Sequence, residues 1–391
     1  MANANFYNVE LRDKSGNLRQ YLTPFITKLK WEWSRIGGCG RCQISLGMAY
    51  RKIEFSAGDD IQIRLRSGST SKLVYRGWIS GTGPTLKKDQ EILLDVRGYF
   101  SLLDFMVVHD SGAIKTYTGQ GISAIVDDIA DTFITANSSI TKGTIDTSSF
   151  AADTLEFKTK VSTALRTLAE LEGKVEYGVD EDLAFFWRTE SDTINRKFFV
   201  GDNVEILERK FDWSKLLNKI YFEGGEVDGV KFETTAEVSE SQTKYFLAEG
   251  IISNSSITTT SVADRFLAST LREKSSPILN IRAKIVNTNI RLEDTIPMGK
   301  VAVVDYDYDD LKYTWGTVAN GGSGLVWGTV ANGGSGKKWG GFYSSQVNSI
   351  AYSLAEGDEK FNIELTFGGS LLETSAKIKQ IEQELSSLRQ K

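Results

Sequence analysis

The sequence has 391 residues, 40% of them hydrophobic and 25% charged, the proportions of an ordinary globular protein with roughly two to four domains. Its formal net charge of −5 gives no general attraction to phosphate backbones, and no dense Lys/Arg run with interleaved aromatics is present, which argues against specific nucleic-acid binding. Thirty-six glycines against four prolines suit many short strands joined by glycine turns and exclude Pro-rich linkers.

The N-terminal MANANFYNVELRDKSG has neither a basic n-region nor an apolar h-region, and nowhere do about 18 apolar residues follow one another. Neither a cleaved export signal nor a membrane span is expected. Residues 1–112 read as a first β-barrel-like domain. Asn5 to Leu11 opens a strand, Ser15-Gly16-Asn17 turns, and Ile26 to Trp33 alternates around Leu29, Trp31 and Trp33. The glycine cluster in SRIGGCGRCQISLGM marks a bend before Ile44 and Leu46 resume the alternation. Ala57-Gly58-Asp59-Asp60 turns tightly into Ile61, Ile63 and Leu65, Ser67-Gly68-Ser69 turns back through Leu73, Tyr75 and Trp78, and Glu91 to Tyr99 closes the part. Short strands at this spacing favour a small barrel or sandwich.

Residues 113–200 change period. Thr118 leads into a helical pattern in which Ile122, Ile125, Val126, Ile129 and Phe133 share a face. A second helix is predicted from Val161, Ala164, Leu165 and Leu168 at i, i+3, i+4 and i+7, with Thr159 as cap and Gly173 as stop. Val175, Tyr177 and Val179 then alternate as a strand, Asp180 to Asp182 turns, and Leu183, Phe185 and Trp187 alternate again. Two helices on a small sheet make an α/β module inserted between β-rich parts.

Residues 201–370 read as a second β-barrel-like domain with a helical insertion. Leu216 to Gly225 looks like a strand running into a turn, Ser261 to Glu273 favours a short helix, Ile278 to Val286 alternates, and Ile296 to Lys300 turns into a buried strand at Val301 to Val304. Gln346 to Tyr352 and Lys360 to Phe367 are the last strong strands. Within this part, Trp315-Gly-Thr-Val-Ala-Asn-Gly-Gly-Ser-Gly returns from Trp327 to Gly336, and Trp339 begins a truncated copy. Two short copies are too few for a solenoid, and their glycine tails favour exposed hairpin loops. Residues 371–391 form a terminal helix in which Leu371, Ile378, Ile381, Leu385 and Leu388 fit a narrow seam, suited to helix packing between chains.

Chemistry has few candidates. His109 is the one histidine, Asp110 beside it is badly placed to orient it, and no GxSxG, HExxH, SxxK or Walker loop occurs, so no catalytic residue and no cofactor is assigned. Cys39-Gly40-Arg41-Cys42 offers two thiols where a closed zinc site needs about four ligands. Reduced structural thiols in a glycine bend are the first reading; a local disulfide and a metal shared between subunits stay open, and no metal site is assigned. Asp305, Asp307, Asp309 and Asp310 open like a calcium loop but lack its sixth glycine and twelfth glutamate, which leaves an acidic edge strand. Trp315, Trp327 and Trp339 could stack on sugar rings or could anchor their loops to the barrel.

The order of motifs resembles the baseplate or tail-tip hub proteins of tailed bacteriophages, which are similar to the tips of contractile secretion systems. The residues that carry it are Gly58-Asp59-Asp60-Ile61-Gln62-Ile63, then Tyr75-Arg76-Gly77-Trp78-Ile79, Tyr117-Thr118, Leu165 to Gly173 with the strand pair ending at Trp187, and Leu217-Asn218-Lys219-Ile220. The resemblance implies a β-rich α+β fold: two tube-like β-barrel domains with an inserted α/β module and a C-terminal helix. It also implies a homotrimer with a pseudo-sixfold ring, placed in the virion after assembly in the host cytoplasm. Its partners would be a tail tube or distal tail protein ring, a tip, spike or fibre protein, and a tape measure protein. Many such proteins continue into a lysin or fibre domain. The tryptophan-glycine repeat and the early end at Lys391 depart from the pattern and count against wall-degrading activity. With paired β parts and no catalytic set, a structural and non-enzymatic role is expected, with carbohydrate-binding host recognition as the alternative.

Overall fold

The computed structural model describes residues 6–47, 53–67, 70–84, 92–148, 150–191, 193–227, 229–286, 299–304, 342–355 and 361–370. The first β unit holds β1 (Tyr7–Arg12), β2 (Leu18–Tyr21), β3 (Ile26–Ser34), β4 (Ile36–Leu46), β5 (Asp60–Ser67), β6 (Thr70–Pro84) and β7 (Ile92–Gly98). After it come β8 (Val107–Val108), β9 (Lys115–Gly121), α1 (Ile122–Ile129), β10 (Thr141–Ile145), β11 (Ala151–Phe157), β12 (Thr159–Lys160), α2 (Val161–Glu172), β13 (Val175–Val179) and β14 (Ala184–Thr189). The rest is β15 (Ile194–Phe199), β16 (Val204–Asp212), β17 (Lys219–Val227), β18 (Val230–Glu237), α3 (Ser239–Lys244), β19 (Glu249–Ser253), α4 (Thr260–Lys274), β20 (Ile278–Ile285), β21 (Lys300–Val304), β22 (Phe342–Ala355) and β23 (Asn362–Ser370). The fold is β-rich, and one sheet runs in the order β16-β20-β23-β22-β3-β4-β7-β6-β5-β1-β2.

Apolar alternation places the core on one side of that sheet. Val9, Ile44, Ile63, Tyr75 and Val96 from the first unit share a hydrophobic cluster with Ile281, Val301, Val347, Ile350 and Leu365 from the far end of the chain. A second cluster unites Ile125, Leu165, Leu168 and Trp187 with Phe222, Val262, Phe266 and Leu267, so the segment from β17 to α4 packs on the α/β module. No helix among the described residues is long and apolar enough to cross a membrane.

Local signals held where nothing distant competed. α2 buries Val161, Ala164, Leu165 and Leu168, and Gly173 stops it in the left-handed region at φ +90°. α4 fills the predicted span from Ser261. Elsewhere tertiary partners decided. Thr159 does not cap α2: it lies in β12 opposite Val108, Lys160 takes the cap position, and the first-turn Val161 amide donates to the Met106 carbonyl at 2.9 Å. Thr118 lies in β9 opposite Thr154, and α1 starts after Gly121. Burial does not alternate along β13: β4 and β14 pair with its edges, and all five of its residues are buried. Gly224 and Gly225 do not turn the chain; they sit inside β17 at a bulge between Glu223 and Glu226, where a Cβ would meet the Ile257 carbonyl at 2.4 Å or that of Ser255 at 2.5 Å.

The glycine cluster after Ser34 holds the expected bend at its start. β3 and β4 are antiparallel with Ser34 opposite Gly38, so the chain reverses from Arg35 to Gly37. β4 runs through the cluster, and Gly37 and Gly38 take φ of +105° and +73°. Gly38 lies opposite Val179 of β13 in a parallel ladder, and a Cβ there would stand 2.1 Å from the Val179 carbonyl oxygen. Only glycine fits such an approach.

Candidate assembly surface

The feature that organises the molecule is β22, whose 14 residues serve two partners along one edge. Lys300–Val304 of β21 pairs with its first part, from Phe342 to Gln346, and β3 pairs with its last part, from Ser349↔Ser34 to Ala355↔Lys28. β23 holds the opposite edge. The β3–β22 ladder therefore welds the two ends of the chain into one sheet. Its inner face is aromatic. Trp31, 1% exposed, stacks on Tyr352 at 4.9 Å and 9°, and Phe361 meets Trp31 edge-on at 4.9 Å. Phe6 and Tyr7 close on Phe361 at 5.2 and 5.6 Å. Burial pushes the Tyr352 phenol well above its ordinary value, which keeps it neutral inside the seam.

Pairing registers reveal that the sheet on the β22 side repeats the first unit. Ile44 opposes Leu29 and Leu94, while Ala283 opposes Leu207 and Leu365. Carried along every ladder, this sets β16, β20, β23, β22 and β21 on β3, β4, β7, β6 and β5. Two irregularities coincide as well, although the slips at Trp31/Trp33 and Ile63/Arg64 belong to the first unit alone. The β3–β4 ladder slips between Ile26 and Lys28, and the β16–β20 ladder between Val204 and Ile206. The β6–β7 ladder slips between Ile79 and Gly81, and the β22–β23 ladder between Val347 and Ser349. Even an off-ladder bond recurs: the Ile79 amide donates to the Asp59 carbonyl at 2.8 Å, and the Val347 amide to that of Gly299 at 2.9 Å. Bulges are specific backbone devices, so two at matching positions mark one architecture used twice. The units part at their margins, since β1 is antiparallel to β5 and β15 is parallel to β21.

Repetition leaves unmatched edges. Among the described residues, β16 pairs with β20 and, at Val204 alone, with Val200. Its remaining edge has no ladder, and Ile206 and Phe211 on it are 45% and 52% exposed. Beyond Ile79, β6 pairs with β7 alone among the described residues.

No family model and no curated protein matches the sequence. Solved structures do. The 43 kDa tail protein of prophage MuSo2 from Shewanella oneidensis superposes with a TM-score of 0.59 at 16% identity, over 93% of this chain and 97% of that one. A tail protein from Neisseria meningitidis MC58 gives 0.59 at 13% identity, over 93% and 96%. Prophage tail protein gp18 from Listeria monocytogenes EGD-e gives 0.52 at 12%, over 98% and 100%. The fold is one found in prophage tail proteins. Identities this low speak to the fold, and the coverage extends it over both β units and the inserted elements.

Of the residues singled out by sequence, Trp315, Trp327 and Trp339, the acidic run from Asp305 to Asp310, and the seam of Leu371, Ile378, Ile381, Leu385 and Leu388 lie outside the described residues. Cys39 and Cys42 are free and buried in strand β4, directly after the reversal at Arg35 to Gly37, and burial pushes both thiols far above their usual range. His109 is exposed after β8, where its Nδ1 accepts the Gly112 amide at 3.1 Å and its ring lies edge-on to Phe133. Sequence reasoning missed the β3–β22 ladder altogether. The α/β module has its own attachment to the first unit beside that ladder: Trp33 stacks on Phe186 at 5.9 Å and 3°, and the Arg35 guanidinium pairs with the Glu190 carboxylate. Burial pushes the Glu190 carboxyl upward more strongly than Arg35 pulls it down.

Proposed function

We infer that this chain is a structural, non-enzymatic component of a phage tail, carried in the virion as a homotrimeric hub. In this reading each chain contributes two wall positions to a ring, so three chains present six similar faces to a sixfold tail tube or distal tail protein ring. The same ring offers threefold identity to a tip, spike or fibre protein, with the tape measure protein above a lumen that stays closed before DNA ejection. One observation carries the proposal: the chain builds the same ladder register twice and joins the copies edge to edge through β3 and β22. A closed ring of chains, each holding two like units, reconciles sixfold and threefold neighbours. The terminal seam of Leu371, Ile378, Ile381, Leu385 and Leu388 is assigned to the threefold axis, and opening is a rearrangement between subunits.

Sedimentation velocity of the purified full chain at micromolar concentration tests this. A species of three times the 43.4 kDa chain mass is expected. A population of monomers alone sinks the ring.

A further inference from the structure

Resting on the ring reading, we propose the contact that closes it: the free edge of β16 in one copy pairs, antiparallel, with the Gly81–Pro84 end of β6 in the next copy. The chain supplies its own template. β3 of the first unit is covered by the end of β22 from the second unit, past the bulge at Val347 and Ser349. In the repeated architecture β16 stands where β3 stands, and β6 stands where β22 stands. Ser349 corresponds to Gly81 and Ile350 to Thr82 through the pairings to β7 and β23. Ser34 corresponds to Asp212 and Trp33 to Phe211 by counting along the strands from Leu29 and Leu207. The count holds because the extra residue at the Trp31/Trp33 slip lies in β4, and the β3–β22 ladder runs through it without a shift. The two halves needed for a second seam of the same kind are therefore present in every chain, one at each unit. They are also the edges left without a ladder among the described residues.

The chemistry of the β16 edge fits an occupant of this sort. Natural monomers blunt a long edge with proline, a bulge or charged residues. β16 has five charged residues, of which Glu205 and Glu208 lie 2.6 and 3.5 Å from Lys284 and Arg282 of its partner β20. From Ile206 to Asp212 the β16 ladder is regular, no proline interrupts it, and Ile206 and Phe211 stand half-exposed along it. At the position matching Phe211, Trp33 lies opposite Ile350 of the neighbouring strand in the internal seam and stacks on Phe186. The register follows directly: Gly81 of one copy faces Asp212 of the next, and Thr82 faces Phe211. Because the second seam joins unit two of one chain to unit one of another, it is heterologous, and it closes when the rotation per chain divides a full turn.

The template also says which pair to cross-link. The Arg35 amide donates to the Asn348 carbonyl at 2.9 Å, which makes Ser34↔Ser349 a non-hydrogen-bonded pair, with Cα atoms about 4.5 Å apart and within disulfide reach. Its counterpart between copies is Asp212↔Gly81. Gly81 takes a Cβ without meeting any atom within 4 Å, and the native Cys39 and Cys42 are buried, with thiols that burial keeps protonated.

The experiment oxidises full-length Gly81→Cys/Asp212→Cys with diamide and reads non-reducing gels beside sedimentation of the same sample. A ladder of cross-linked dimer and trimer that stops at three, absent from either single variant and at least fivefold weaker in Gly81→Cys/Lys210→Cys, supports the edge and its register. Trimers by sedimentation without the cross-link overturn the edge and leave the ring standing. Monomers without the cross-link overturn both. Cross-linking that runs on past three chains overturns closure, with the edge retained.

Discussion

β3 and β16 are strands of nine residues that hold the same place in their two units and meet different fates. β3 is laddered on both edges, by β4 and β22, and its Trp31 is sealed against Tyr352 and Phe361. β16 is laddered by β20 alone apart from the bridge at Val204, and its Phe211 stands half in solvent. The same place in the repeated architecture thus yields a core in one unit and an unfinished surface in the other. The difference lies in what the chain can reach: β22 covers β3 within one molecule, whereas nothing described in the same chain covers β16. The largest consequence concerns the covered strand. Trp31→Ala should cost about 3–5 kcal/mol of unfolding free energy, as truncation of a buried tryptophan does, read as a lower urea midpoint at unchanged slope. A loss below about 1 kcal/mol would show that the aromatic stack contributes little to holding the units together.

The parts of this architecture legible beforehand were those whose signals are local. The turn at Gly58 into Ile61 and Ile63, the helix ended by Gly173, and the strand from Val301 were all readable from spacing. The repeat was hidden for a physical reason. Aligning the glycines of Gly58-Asp59-Asp60-Ile61-Gln62-Ile63 and Gly299-Lys300-Val301-Ala302-Val303 sets Asp60 on Val301 and Gln62 on Val303, so the apolar positions fall out of phase. The ladders instead set Lys300 on Asp60, one residue away from that alignment. In that register Ile61 and Ile63 fall on Val301 and Val303. Because a one-residue slip turns every side chain to the other face, an alignment led by the glycines misses the match. The β3–β22 ladder was illegible because its strands lie more than 300 residues apart in sequence and neither carries a local mark of its partner.

A second contrast, between two glycines, has a smaller expected effect. Gly38 has φ +73° and no room against Val179, whereas Gly81 has open space. Gly38→Ala should cost about 1–3 kcal/mol through backbone strain and displacement of β13, and Gly81→Ala should change stability by less than about 0.5 kcal/mol. Paired urea melts decide it; equal losses at both sites would mean that the β4–β13 approach does not constrain the chain. Phe211→Asp ranks lower still for the isolated chain, within about 0.5 kcal/mol because the side chain is half-exposed. Its effect belongs to assembly. A charge on that edge should raise the concentration needed for trimers at least tenfold in sedimentation, and an unchanged trimer would break the contrast between the covered strand and the open one.

The smallest effect separates the β units from the α/β module, because it is confined to acid. Asp128 of α1 accepts the Tyr117 hydroxyl at 2.6 Å and lies 3.2 Å from the Lys115 ammonium. Burial pushes its carboxyl up, but the hydrogen bonds from Tyr117, Lys115 and Thr132, with the Lys115 charge, outweigh burial and hold it below the ordinary value. A carboxylate depressed in the folded state adds stability above its unfolded pKa, about 3.9, and loses it as pH falls through the folded one. The module should therefore lose stability below about pH 4, and Asp128→Asn should flatten that acid slope while leaving the slope above pH 5 alone. Tyr117 sits in the core shared by α1 and α2, so hydrogen exchange localised to those helices distinguishes module opening from opening of the sheet. Acid-induced exchange that begins instead in β3 and β22 would place the weaker link at the seam between units.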